Sequence, residues 1–416
     1  MKNKKKKIML LPPTMFPIPA VGGGAVEQLI THLLDINEIK QKVQFIVVSK
    51  YDEKAASVKY SNSEVLYLNQ DGFIMGYVSF FKILWIIYRI WLKVFHNHVL
   101  EKIFHHNHNR MDLYAFQCAV LAVVWKVDVV VNELHDFGVD KPLTVFNDIV
   151  GSEHFYNHIH SVREENLMSR KIINNSICIS EFVKEHWVVN NTIKGNHEVL
   201  YNCINVEHFM NCMNDTERNK LRHQLGIREN EFLIIYCGRI AKEKGVEQLL
   251  DAIDLLTLQG DDRIKLLFIG SAAFSQGNIT EFSKRIMERI RNNSKVITTG
   301  YIANIDLPKY YAIADAQIIP SVWQEGAGLV SIEGMAAGLP LIITKSGGLP
   351  EYVGEETAIQ LPIDDQLSKN IAMAMQMLAQ DSELCYKLGS AGKKRAQKFS
   401  RESYYDNYIN IIVKNF

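Results

Sequence analysis

Two carboxylates and two cations carry most of the chemistry this sequence offers. Glu325 and Glu333 lie in the stretch IIPSVWQEGAGLVSIEGMAAGLPLIITKSGGLPEYV, which runs from Ile318 to Val353. Arg239 and Lys244 lie in GRIAKEKG. A carboxylate accepts from the hydroxyls of a sugar or ribose, and a cation attracts phosphate oxygens. Gly326 and Gly328, between the acids, permit close backbone approach. The amides from Ala327 to Val330, Leu329 included, open a predicted helix, whose N-terminus carries roughly +0.5 of a charge and suits an anion.

The elements that must position these groups follow from the pattern. An apolar strand ends at Pro320, a helix suits Leu329 to Ala337, and Gly338-Leu339-Pro340 ends it. A buried strand, Leu341 to Thr344, and a Gly347-Gly348 turn come next. A strand, Gly-rich turn, helix, strand unit predicts parallel strands. The cations follow another apolar strand, Phe232 to Cys237. There Gly238 permits a turn ahead of a helix from Val246 to Leu255. Strands over Lys265 to Gly270 and Val296 to Thr299, with a helix from Leu307 to Ala314, complete this half. On these residues alone a plain α/β packing turn reads about as well as a ligand site.

The spacing of Glu325 and Glu333 within EGAGLVSIEGMAAGLP resembles the E-x7-E signature of retaining glycosyltransferases of family 4. The resemblance implies an α/β fold of the GT-B type, two Rossmann-like doubly wound parallel-sheet domains facing across a cleft. It implies that Glu325 meets the donor sugar and Glu333 holds the ribose. Arg239 and Lys244 match the family's R-x4-K, implying contacts to the donor diphosphate. Gly300-Tyr301-Ile302 stands where the family reads the base through backbone groups. Gly22-Gly23-Gly24-Ala25-Val26-Glu27, which opens an amphipathic helix, resembles the GGG/A-x-E loop that faces the donor phosphates. The resemblance thus extends to Gly23 and Gly24, Tyr301 and Ile302, and Gly328, Leu329 and Val330 as donor contacts.

Composition agrees with a folded enzyme and excludes some partners. The chain has 416 residues, 47% hydrophobic and 22% charged, enough for two full-sized cores. Lys+Arg and Asp+Glu both number 46, so net charge predicts no nucleic-acid partner. Six cysteines without a CxxC pair read as reduced thiols of a cytoplasmic protein. Lysines precede an apolar run at the start, but Pro12, Pro13, Pro17 and Pro19 interrupt it. A first strand, Lys7 to Leu11, is the reading preferred over a signal peptide.

Strands are expected over Val43 to Val48 and Glu64 to Leu68. From Gly76 to Phe95 a very apolar helix carries Lys82, Arg89 and Lys93 on one stripe. Its charges argue against a membrane span, while Trp85, Tyr88 and Trp91 favour an interface with an anionic membrane. A buried or dimer-forming helix is the rival reading. His96, His98, His105, His106 and His108 show no metal-ligand spacing and read as a solvated loop. Strands Val127 to Asn132 and Leu143 to Phe146 would bring Glu133, His135 and Asn147-Asp148 to carboxyl ends, where ligands gather. Phe146-Asn147-Asp148 resembles a family His-Asn-Asp turn with its His replaced, leaving His135 or His154 as substitutes. Ile172 to Ile179, then Ser180-Glu181-Phe182, reads as strand, N-cap and helix.

The expected organisation is an acceptor-side domain over 1–205, a nucleotide-sugar domain over 206–395, and a helix over 396–416 crossing back to the first. The implied activity is transfer of a hexose, UDP-linked by preference, to a surface glycan or lipid-linked acceptor, at the inner face of the plasma membrane. No DxD triplet occurs, so neither a metal nor a cofactor is expected besides the nucleotide sugar as co-substrate. Rival readings are a nucleotide-sugar epimerase, a phosphorylase, whose cofactor-lysine motif is missing, and a non-catalytic coat or scaffold protein.

Overall fold

Runs such as FLIIYC and IKLLFI are apolar at consecutive positions, the pattern of strands covered on both faces. The computed structural model describes residues 5–94, 113–133, 146–162, 175–189, 195–210, 212–270 and 280–414. Contacts divide the chain into two compact units. One comprises Met1–Ile179, Val183–Leu200 and Tyr404–Phe416, the other Ser180–Phe182 and Tyr201–Ser403.

The first unit is built on β1 (Lys6–Leu11), β2 (Val43–Lys50), β3 (Ser63–Leu68), β4 (Val129–Asn132), β5 (Phe155–Ile159), β6 (Asn175–Cys178) and β7 (Asn196–Val199). They form one sheet in the order β3-β2-β1-β4-β5-β6-β7, every pairing parallel. The order turns at β1 and β4, so the loops after these strands flank a topological switch point. The helix Arg401–Val413 returns to this unit, where Tyr405 donates to Asn37 Oδ1 at 2.6 Å and Lys40 pairs with Asp406 at 2.6 Å.

The second unit holds β8 (Phe232–Cys237), β9 (Ile264–Ile269), β10 (Val296–Gly300), β11 (Ala316–Ile319), β12 (Leu341–Thr344) and β13 (Ala358–Leu361). Its sheet runs β10-β9-β8-β11-β12-β13, again wholly parallel. Alternate residues feed two cores. Leu233, Ile235, Leu267 and Ile343 enter one, and Ile234, Tyr236, Phe268 and Ile342 enter the other. The sheet is therefore covered on both faces, and its switch point lies between β8 and β11. Both units are doubly wound α/β structures, as the sequence implies.

One expected strand changes. The strand expected over Leu143 to Phe146 is not formed at its described end, because Phe146 begins a helical stretch, 146–150. Phe146 is fully buried and lies parallel to Phe155 at 6.3 Å, so it is a core residue. The strand beside β4 is instead β5, which sequence reading overlooked. On the helix Val78–Val94, Trp85 and Tyr88 are half-buried. They pack on Phe116 of the helix Leu113–Val124, at 5.2 and 4.9 Å between ring centres. Its exposed face carries Phe80, Ile83, Ile86 and Ile87 beside Lys82. The side chains of Arg89, Trp91 and Lys93, the histidines from His96 to His108, and His135 lie outside the described residues. No helix among the described residues is long and apolar enough to cross a membrane.

Candidate active site

The loops after β8 and β11 meet at the switch point of the second unit, and glycines let them do so. Gly245 has φ +66°, and a Cβ there would sit 1.8 Å from the Pro320 carbonyl oxygen. No other residue fits such an approach in a left-handed backbone. The Val322 amide donates to the Glu243 carbonyl at 3.0 Å, locking the two loops together. The turn after β12 closes the other side. A Cβ on Gly347 would fall 2.3 Å from the Glu325 carbonyl oxygen, which accepts from the Gly348 amide at 2.7 Å.

This clamping brings Lys244 and Glu325 together. Lys244 Nζ donates to Glu325 Oε1 at 2.6 Å, and the Ser321 hydroxyl donates to the same oxygen at 2.6 Å. Their side chains keep 25% and 18% of their exposure, so the pair is shielded but reachable. Arg239 is not drawn into it. Its guanidinium turns to Glu243 at 3.2 Å and is 45% exposed, a geometry of little energetic weight. Arg239 is thus available to an incoming anion at small cost.

Glu333 sits in the second turn of the helix Leu329–Ala337. Its carboxylate accepts from the Tyr311 hydroxyl at 2.7 Å. Burial pushes its pKa up to about 7, and the Tyr311 hydrogen bond opposes that rise. No side chain caps the start of this helix, so the amides of Leu329 and Val330 remain for a ligand or solvent. A Cβ on Gly328 would lie 2.4 Å from Leu349 Cδ1, so a larger residue there would have to displace that side chain. Tyr301 and Ile302 follow β10; Tyr301 is exposed, while Ile302 packs on the core. Lys244, Glu325 and the helix start form one cluster at the carboxyl ends of β8 and β11.

Gly23 and Gly24 belong to the first unit, before the helix Ala25–Lys40. Both have positive φ, and a Cβ on Gly24 would meet Glu27 Oε2 at 2.1 Å. The Glu27 carboxyl folds back onto this helix start. Burial raises its pKa, and hydrogen bonds with the backbone of Glu27 and Phe16 counter the rise.

A second polar cluster lies at the carboxyl ends of β4 and β5. Glu133 Oε2 is shared by His158 Nδ1 at 2.8 Å and His160 Nε2 at 3.0 Å, and Tyr408 donates to Oε1 at 3.1 Å. All three side chains at Oε2 are nearly inaccessible. Burial alone would raise the Glu133 pKa. The His158 charge and the imidazole hydrogen bonds outweigh it and hold the carboxyl well below the usual range. His154, by contrast, bonds its own turn through Nδ1 to the Val150 carbonyl at 3.0 Å.

Residues 217–395 match the family described as Glycosyl transferases group 1. The matched stretch is less than half of the chain and resembles a glycosyltransferase domain. Arg239, Lys244, Tyr301, Ile302, Glu325, Gly328 and Glu333 all fall inside that domain, while Gly23 and Gly24 fall outside it. An uncharacterized glycosyltransferase, MJ1607 of Methanocaldococcus jannaschii, is 30% identical over 181 residues, 43% of this chain and 44% of that one. The lipopolysaccharide 1,2-N-acetylglucosaminetransferase of Salmonella typhimurium is 34% identical over 148 residues, 34% of this chain and 38% of its own. The chain thus spans under half the length of both relatives. The crystal structure of Anabaena Alr3699/HepE with UDP and glucose matches over 98% of this chain and 100% of its own, with TM-score 0.68 and 18% identity. The shared fold is the GT-B fold of glycosyltransferases.

Sequence reading missed Tyr311, Gln317, Ser321 and the β5 histidines around the two clusters. The signal for His158 and His160 was their alternation in FYNHIH: period-two spacing puts both on one face of a strand. Nothing in local sequence pointed to Tyr311, which reads as one more apolar helix position.

Proposed function

We propose that this protein is a retaining glycosyltransferase of the family 4 type, moving a hexose from a nucleoside diphosphate sugar, UDP-linked by preference, to a surface-glycan or lipid-linked acceptor. The observation that carries the reading is the Lys244–Glu325 pair beside an uncapped helix start, with Glu333 one turn further on, inside the group 1 domain. The Salmonella relative's name supports the acceptor class, and the UDP and glucose bound by Alr3699/HepE support the donor.

The chemistry follows from the charges. Arg239, Lys244 and the amides of Leu329 and Val330 stabilise negative charge building on the departing diphosphate. An ammonium has three donor protons, so Lys244 can hold a phosphate oxygen while still touching Glu325. Phosphate contact loosens that pair and leaves Glu325 Oε1 for hydroxyls of the donor sugar. Glu333 accepts from ribose hydroxyls, and the backbone at Tyr301 and Ile302 meets the base. Gly23 and Gly24 are proposed as donor contacts on the family resemblance alone. Departure and attack on one sugar face, with the diphosphate taking the acceptor's proton, is the retaining course we favour, and no metal is required for it. The inner face of the plasma membrane is the proposed workplace, reached through the exposed apolar face of the helix Val78–Val94.

The test is slow donor hydrolysis by the purified chain across a panel of nucleotide sugars. Release of nucleoside diphosphate from one donor class, lost in Glu325→Gln, is expected. Binding without turnover for every donor would favour a non-catalytic scaffold.

A further inference from the structure

Glu333 keeps only part of its exposure, and its surroundings are specific. Tyr311, on the helix Leu307–Ile313, is fully buried, and its hydroxyl hydrogen points at Glu333 Oε2 from 2.7 Å. The hydroxyl oxygen accepts in turn from Gln317 Nε2 at 3.3 Å, and the same amide nitrogen donates to the Val330 carbonyl at 2.9 Å. Gln317 is itself wholly buried on β11, with its amide oxygen seated against Gly334, where a Cβ would lie 1.8 Å away. The chain Gln317, Tyr311, Glu333 thus joins the central strand of the sheet to the second turn of the helix. The remaining neighbour, the Cys237 thiol, is pushed up to about 12 by burial with the Glu333 charge adding, so it stays neutral.

We propose that Tyr311 is a positioning residue: by fixing Glu333 Oε2 through its hydroxyl, it turns the other carboxylate oxygen to a ribose hydroxyl. Gln317 fixes Tyr311 in the same manner. The assignment of ribose to Glu333 rests on the reading above; the orienting bond from Tyr311 does not. A carboxylate holding one fixed donor presents its second oxygen in one direction, and each ribose contact then meets an acceptor already in place. The bond also favours the ionised form, the one that accepts two ribose protons, against the burial that opposes it.

Tyr311→Phe keeps the ring and removes only the hydroxyl, so folding is preserved. The full chain, labelled with carbon-13 at glutamate side chains, is titrated without ligand. Glu333 is identified by the resonance lost in Glu333→Gln. Its midpoint should rise by about one pH unit in Tyr311→Phe, the scale of one hydrogen bond to a charged group. An unmoved midpoint overturns the proposal. Calorimetry with UDP, GDP and ADP then tests the consequence. The nucleotide that binds wild type best should bind Tyr311→Phe about tenfold more weakly at pH 7, with the gap narrowing by pH 9 as both carboxyls ionise but persisting because the orienting bond is gone. Equal affinity of wild type and Tyr311→Phe at pH 9 would mean that the bond acts on ionisation alone and would also overturn the proposal. Should Tyr311→Phe yield too little folded protein, Gln317→Met carries the same test with a smaller rise in the midpoint expected. A rise accompanied by unaltered nucleotide affinity in Glu333→Gln would leave the Tyr311 bond standing and refute the ribose assignment instead.

Discussion

Lys244 Nζ and the Ser321 hydroxyl converge on a single oxygen of Glu325, each at 2.6 Å. A cation destined for phosphate is thereby stored on the acid destined for the sugar. Removing either partner leaves the other's charge unpaired, so the two residues should not act independently. Lys244→Met and Glu325→Gln are each expected to lower turnover by about 10²–10³-fold. Their double variant should fall short of the product, with a coupling of about 0.5–3 kcal/mol. Arg239→Ala, whose partner is the exposed Glu243, should combine additively with Glu325→Gln. Initial rates of donor hydrolysis for the set decide this, and additivity in the Lys244 pair would remove the shared role.

Glu333 links binding and stability to pH with a definite sign. Its folded value of about 7 lies above the ordinary 4.5, so the folded chain keeps a proton that the unfolded chain releases. Its contribution to stability is fully present below about 4.5 and is lost as pH rises through about 7. Glu333→Gln should therefore be more stable than wild type at pH 8, by up to about 2 kcal/mol, and indistinguishable near pH 4. Nucleotide affinity should move the opposite way, strengthening from pH 6 to 8 in wild type only and weakening by about 1–3 kcal/mol in the variant at pH 8. Urea unfolding and calorimetry at three pH values measure both.

Glu133 is expected to hold the first unit together. Glu133→Ala strands the imidazoles of His158 and His160 and the Tyr408 hydroxyl in a closed interior, at a cost of about 3–5 kcal/mol. Because its carboxyl lies below the ordinary range, the stabilisation is present above about 4.5 and fades as acid protonates it. Loss of the first-unit transition in urea unfolding, with the second-unit transition unmoved, is the expected result. A shift below 1 kcal/mol would show the histidines to be solvated.

The helix Val78–Val94 gives a membrane prediction. Phe80, Ile83, Ile86 and Ile87 are exposed beside Lys82. Vesicles containing anionic lipid should float the protein at low salt and less at high salt. Replacing Lys82, Arg89 and Lys93 with Gln should weaken binding by up to about 3 kcal/mol. Replacing Ile83 and Ile87 with Ser should abolish it at any salt. A wild-type protein that never floats ends the idea.

The second unit was far more legible in sequence than the first, for physical reasons. β8, β11 and β12 are short, largely apolar runs with a glycine or proline at one end, and the helix Leu329–Ala337 has both boundaries marked by Gly328 and Gly338. β5 hides because Asn157 and His158 are polar yet buried. Asn157 accepts from Asn132 across the strands at 3.1 Å, and His158 rests on Glu133. Those partners are distant in sequence, so composition made the segment look like surface. Phe146 misled in the opposite sense, an apolar residue read as a strand end that opens a helix. In the candidate site the charged residues were singled out through the family resemblance, whereas Lys244 meeting Glu325 depends on Gly245 against Pro320, a contact no local pattern encodes.

The return of the helix Arg401–Val413 to the first unit has a consequence for biosynthesis. Tyr405 and Tyr408 supply hydroxyls to Asn37 and to Glu133, groups made hundreds of residues earlier. During translation the amino-terminal sheet must therefore wait, with Glu133 short of one donor, until the whole second unit has emerged. The unit that begins first on the ribosome is the one that finishes last.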